Sequence, residues 1–182
     1  MSLATSSAQT REPRVISVRP WPDPVIDRLG VDPRAAYVER FWLAQLGPSA
    51  TLLARRLADG FDACPDGFEL DLAVTGRALG LGHGVDRNSP VQRALTRLCR
   101  FGLAAKIDST EVMVRRRLPP LTRRQLHRLP EAIRGEHEAW RDAGAVPASA
   151  PRQPSPPGPG GDVAHLAPPD PPAVTLPPPP AA

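Results

Sequence analysis

Apolar residues recur at helical spacing in several stretches of the chain and alternate with polar ones in only a few short segments. Tyr37, Val38, Phe41, Trp42 and Gln45 fit one face of a helix over 34–46. Asp32-Pro33 supplies its N-cap and first turn, and Gly47-Pro48 its stop. Ser49 is placed to cap a second helix over 50–61, in which Leu53, Leu57 and Phe61 form the apolar stripe and Arg55, Arg56 and Asp59 the wet side. A turn at 64–67 leads to a short strand over 68–70. Asp71 then caps a helix over 72–79 whose Gly76 lowers helix propensity and is expected to admit a neighbouring helix. Gly80, Gly82 and Gly84 read as a flexible connection.

The strongest local signal follows. Asn88-Ser89-Pro90-Val91-Gln92 combines a capping serine, proline at the first helical position and glutamine at the third, which is an S-x-x-Q capping box. The helix it opens runs to Arg100 or Phe101, with Gly102 beyond its end. Two strand-like runs, 103–108 and 111–117, are separated by Ser109-Thr110 and read as a hairpin. Thr122-x-x-Gln125 opens another short helix, and Pro130 starts an amphipathic one to about 143, with Ile133, His137 and Trp140 on one side.

The ends have a different composition. Residues 1–20 are polar and irregular and are expected to be disordered. Of 25 prolines, 14 lie between Pro147 and Pro180, so 145–182 reads as a Pro/Ala-rich disordered tail. The division is therefore 1–20 disordered, 21–48 an N-terminal extension with a helix, 49–120 the central domain, 121–144 C-terminal helices and 145–182 tail.

Charge sharpens this picture by its position. Residues 87–128 hold 11 basic and 2 acidic groups, net +9, while 1–86 and 129–182 are net −2 and −3. A local basic excess reads as a footprint for a polyanion. Every basic residue but Lys106 is arginine, which also fits a GC-rich coding genome. On a helical wheel Ser89, Gln92, Arg93, Thr96, Arg97 and Arg100 share an arc of roughly 140°, and Val91, Ala94, Leu95, Leu98, Cys99 and Phe101 another of roughly 160°. No acid occurs between Arg87 and Ile107. Arginine pairs bidentately with guanine and glutamine with adenine in the major groove, and Ser89 at the helix N-terminus suits a phosphate. The candidate DNA-contacting set is Arg87, Ser89, Gln92, Arg93, Thr96, Arg97, Arg100, Arg115 and Arg117. The hairpin tip, Asp108 to Glu111, carries two acids and is not expected to enter the minor groove.

The order helix, strand, helix, helix, strand, strand from Ser49 resembles that of the winged helix-turn-helix superfamily. Ala78-Leu79-x-Leu81 is similar to the end of its second helix. Ser89, Val91, Arg93-Ala94-Leu95, Leu98 and Gly102-Leu103 are similar to its recognition helix and the exit into the wing. The resemblance covers roughly 49–118 and departs from the superfamily in the long glycine-rich turn, 80–88. Residues 32–140 also resemble an uncharacterised family of small winged-helix proteins from GC-rich, actinobacterial-type bacteria. The segments concerned are 37–43, Leu46-Gly47-Pro48, Gly102-Leu103 and 115–121, and this likeness brings no activity with it. The fold class expected is mainly α with a small β-hairpin wing, an α+β winged helix domain with added N- and C-terminal helices.

The superfamily implies a partner in double-stranded DNA and a role as a transcriptional regulator or a nucleoid- or replication-associated DNA binder. The alternative is a winged-helix adaptor between proteins, tethered by the tail. RNA is a weaker partner, because the basic block has a single aromatic, Phe101, and that falls on the apolar arc. A homodimer through residues 37–42 or the C-terminal helix is a further expectation. The four histidines lack a paired nucleophile or carboxylate in any known pattern, and P-loop, GxSxG and HExxH motifs are missing. Neither an enzyme nor a cofactor is expected. Cys64 and Cys99 have no metal-ligand spacing. With no apolar run near ~20 residues and no secretory signal pattern, the expected place is the cytoplasm, away from membranes.

Overall fold

A computed structural model of the chain describes residues 13–144. The expectations for 1–12 and 145–182 lie outside the described residues. The elements are β1 (Val15–Pro20), α1 (Pro24–Leu29), a π-helical stretch (Val38–Trp42) leading directly into α2 (Leu43–Ala63), β2 (Phe68–Asp71), α3 (Leu72–Ala78), α4 (Pro90–Arg100), β3 (Ala104–Lys106), β4 (Glu111–Val114), α5 (Arg123–Leu126) and α6 (Glu131–Asp142). The class is α+β, with a mixed four-stranded sheet in the order β2-β1-β4-β3.

β1 corrects the reading of 1–20 as disordered. It pairs antiparallel with β2 and parallel with β4, so it separates β2 from the β3–β4 hairpin. Ile16 and Val18 point into the core while Ser17 and Arg19 alternate outward. Val18 lies opposite Phe68 on one side and Val112 on the other. Pro20 ends the strand, and Trp21 N–H extends the pairing to the Val114 carbonyl at 2.8 Å.

The inner face of the sheet supplies Ile16, Val18, Leu70, Val112, Val114 and Ala104 to one core with Leu53, Leu57 and Phe61 of α2, Leu72 of α3, and Val91, Leu95 and Leu98 of α4. α2 is broken at Gly47, whose φ of 72° lies in the left-handed region. Past the break, the Thr51 hydroxyl donates to the Gly47 carbonyl at 2.9 Å. Ahead of it the helix begins later than 34: residues 33 and 34 form a turn, in which the Asp32 carboxylate accepts from both the backbone N–H and the guanidinium of Arg34.

Gly76 admits a loop closely, with the expected neighbouring helix, α4, in ordinary contact through Val91. A Cβ there would sit 2.6 Å from the Gly82 carbonyl, and Leu81 N–H donates to the Gly76 carbonyl at 2.7 Å. The segment between α3 and α4 is therefore folded back on α3. Leu81 and Val85 pack against the core, and Asp86 accepts from Asn88 N–H at 2.9 Å.

The aromatic run 37–42 is not a dimer surface. Tyr37, Val38, Phe41 and Trp42 are buried within the chain. Tyr37 and Phe41 cluster with His137 and Trp140 of α6, and Trp42 Nε1 donates to the Pro119 carbonyl at 3.0 Å. The apolar side of α6, the other expected dimer face, is occupied by the same contact. Among the described residues, no helix is long and apolar enough to cross a membrane.

Candidate nucleic-acid interface

α4 is the element on which the basic face depends. Ser89 caps it, its hydroxyl accepting from Gln92 N–H at 3.4 Å, and Pro90 opens the first turn. At the other end Gly102 takes a φ of 68°, Leu103 N–H reaches the Leu98 carbonyl and Gly102 N–H the Cys99 carbonyl, both at 3.0 Å. That pair of bonds is a Schellman motif. Val91, Ala94, Leu95 and Leu98 are buried, which fixes the helix rotation and leaves Arg93, Thr96, Arg97 and Arg100 exposed. Arg87, just ahead of the helix, is exposed as well.

Four of the nine expected contact residues do not join this face. Ser89 and Gln92 are buried, 4% and 2% exposed. Gln92 sits at the edge of the polar arc, where the β3–β4 hairpin meets the helix, and Ser89 is the N-cap, close against Gly84 of the preceding loop. Gln92 Oε1 faces Lys106 Nζ at 3.4 Å, so its side chain does not complete the capping box. Arg115 is buried too: its Nε donates to the Gly102 carbonyl at 2.9 Å, it pairs with Asp23, and its guanidinium lies over the Trp21 ring. Arg117 is exposed but donates to the Gly30 carbonyl at 3.0 Å, beside α1. A run of three arginines after a strand reads as surface, and nothing local reveals that the chain from Trp21 to Gly30 comes back to cover it.

Of the remaining five, Arg97 has a second engagement. Its Nη2 and Nε donate to the Gln45 carbonyl at 2.9 and 3.3 Å. This ties α4 to α2 and limits how far that guanidinium can turn outward. Lys106 was missed by sequence reasoning. The alternation of β3, with Ala104 inward and Ala105 outward, places it on the α4 side, and that pattern is the signal that could have found it.

The electrostatics divide the arginines in two. Arg14, Arg19, Arg34, Arg40, Arg55, Arg115 and Arg141 each have a carboxylate within 4.0 Å. Among the described residues, none pairs with Arg87, Arg93, Arg97, Arg100 or Lys106. These five thus form one group of unpaired cations on and around α4, and it is not unique: among the described residues Arg123, Arg124, Arg128 and Arg134 also lack a carboxylate within 4.0 Å. The acids of the hairpin tip are engaged elsewhere. Asp108 accepts from Thr110 N–H, the Thr110 hydroxyl and Glu111 N–H, and these bonds hold its carboxyl below the usual carboxylate range. Glu111 faces Arg19 across the outer side of the sheet.

Cys99, behind the basic face, is half-buried, and burial pushes its thiol above the ordinary value despite Lys106 nearby. Among the described residues, no group of three His, Cys, Asp or Glu is placed to hold a metal ion. Comparison with protein-family models, with curated proteins and with solved structures found no match.

Proposed function

We propose that the chain is a winged-helix DNA-binding protein that lays α4 along the major groove of a duplex, acting in the cytoplasm as a transcriptional regulator or a nucleoid- or replication-associated binder. The element order from α2 to β4 supports this reading. The observation that carries it is that Arg93 and Arg100 stand exposed and without carboxylate partners on a helix anchored by its opposite face, with Arg87 exposed just ahead of it.

The geometry also weights the contact toward phosphates. Gln92, the one amide suited to adenine, is inside, and the hairpin tip is acidic. Arg93 and Arg100 remain, and with Arg87 they act chiefly on the phosphates, although each is also able to pair with guanine. Selectivity among sequences is therefore modest and salt dependence steep. The test is a binding titration on mixed-sequence duplex at several salt concentrations, with backbone amide shifts followed in parallel. The reading requires the shifts to centre on α4 and the segment from Arg87. Shifts confined to another surface, or no binding at low salt, would favour an adaptor between proteins.

A further inference from the structure

Far from α4 in sequence, α5 and α6 line a cleft of about 270 Å³. Its walls bring together Arg123, Arg134 and Arg141, the histidines His127 and His137, and one acid, Glu138. Leaving the histidines aside, this is three positive charges against one negative. Among the described residues, neither Arg123 nor Arg134 has a carboxylate within 4.0 Å. Arg141 has only the exposed Asp142 at 3.6 Å.

Two of these groups stand out. Arg134 Nε is shielded from solvent and makes no hydrogen bond. A buried N–H without an acceptor is costly and rare enough in native proteins to need a cause. His137 is constrained through Tyr37. The Tyr37 oxygen accepts from Leu121 N–H at 3.1 Å and is hydrogen-bonded to His137 Nε2 at 3.0 Å. That bond occupies Nε2 and leaves Nδ1 as the second polar atom of a ring that lines the cleft. Burial, assisted by Arg141, keeps that ring neutral at lower pH than an ordinary histidine.

The geometry points to a binding site for a small phosphate-bearing anion between α5 and α6, with Arg134, Arg123 and His137 as its donors. Guanidinium groups match phosphate oxygens in fork geometry, and Arg123 and Arg134 bring two of them without a carboxylate partner to one cleft. The volume lies below the ~300–1,000 Å³ of sites for drug-sized ligands, so the occupant is either free phosphate or the phosphate end of a small molecule.

The site shares no residue with the α4 face, and its test uses no DNA. Ring signals of His127 and His137 are followed by NMR in the full chain while inorganic phosphate or pyrophosphate is added, with chloride balancing ionic strength. Saturable movement of the His137 signals is expected. Tighter binding of pyrophosphate indicates a phosphorylated molecule, and equal or tighter binding of phosphate indicates the free ion. Arg134→Lys keeps the charge but loses the planar fork of guanidinium donors and should weaken binding about 10-fold or more. Arg123→Gln, on an exposed side chain, should weaken it with the melting temperature unchanged, and it decides the matter if the Arg134 variant does not fold. Replacing Arg87, Arg93 and Arg100 together should leave it intact. Signals that stay fixed up to about 10 mM of either anion, or binding that Arg123→Gln and Arg134→Lys leave unaltered, would overturn the site.

Discussion

Arg115 and Asp23 form an ion pair at 2.6 Å between residues 92 apart in sequence. The Arg115 side chain is 3% exposed. Asp23 serves two elements at once: Oδ1 accepts from Val25 and Ile26 N–H at 3.1 Å and caps α1, while Oδ2 takes Arg115. Burial opposes the charged carboxylate, yet the Ile26 N–H, Arg115 and Val25 N–H together hold its carboxyl below the ordinary value. Asp23→Ala therefore strands a buried guanidinium and uncaps a helix. It should cost about 3–5 kcal/mol in urea unfolding. Adding Arg115→Met should recover part of that loss, since the stranded charge goes with it. Strictly additive losses would show that the two residues are not coupled.

β1 gives a second expectation, opposite to that drawn from composition. A chain of residues 21–144 lacks the strand between β2 and β4 and exposes the faces that Ile16 and Val18 cover. It should lose cooperative thermal unfolding, whereas a chain of residues 13–144 should retain it. Cooperative melting of 21–144 near the parent temperature would mean that β1 is dispensable.

The contrast between α4 and β1 shows what was legible in sequence. α4 announces itself locally: Ser89-Pro90 at one end, Gly102 at the other, and an apolar stripe between. α3, α5 and α6 carry similar local signals, with Asp71, Thr122 and Pro130 at their starts. β1 is six residues long, and its partners lie about 50 and 95 positions away in sequence. Its alternation has no meaning until they are known. The same holds for the site. The exposed arginines follow from helical rotation, but the burial of Gln92 and Arg115 depends on the hairpin and on the segment from Trp21, whose return no local pattern reports.

The two faces of α4 should respond differently to truncation. Leu95→Ala and Leu98→Ala remove side chains that are 1% exposed and should each cost about 2–5 kcal/mol by chemical denaturation. Arg93→Ala and Arg100→Ala should change stability by less than about 0.5 kcal/mol. Arg97→Ala, which loses its bonds to Gln45, should fall between, at about 0.5–1.5 kcal/mol. Parent-like stability in both leucine variants would show that the helix is rotated otherwise.

Tyr37 and His137 set a pH dependence. His137 is held neutral in the folded state by burial and by Arg141, against the weaker pull of Glu138. Because its folded pKa lies below the unfolded value near 6.5, the unfolded chain binds the extra proton first. Stability should accordingly fall as pH drops through about 6.5 and level off below the folded pKa. His137→Gln should flatten that slope. Tyr37→Phe, which removes the acceptor of Leu121 N–H and the hydrogen-bond partner of His137 Nε2, should cost about 1–3 kcal/mol near neutral pH. A parent-like pH slope in His137→Gln would assign the effect to another group.

The central claim is that the exposed cations of α4 and its approach meet DNA phosphates. Fluorescence anisotropy on mixed-sequence duplex gives the slope of log affinity against log salt, about −0.9 per phosphate contact. The variant carrying Arg87→Ala, Arg93→Ala and Arg100→Ala leaves Arg97 on Gln45 and the buried face untouched, so its stability should match the parent. Its slope should be shallower by ~2–3 units, with weaker binding at every salt concentration. Equal slopes and affinities in parent and variant, or no binding by the parent at low salt, would contradict the assignment of α4 to the DNA.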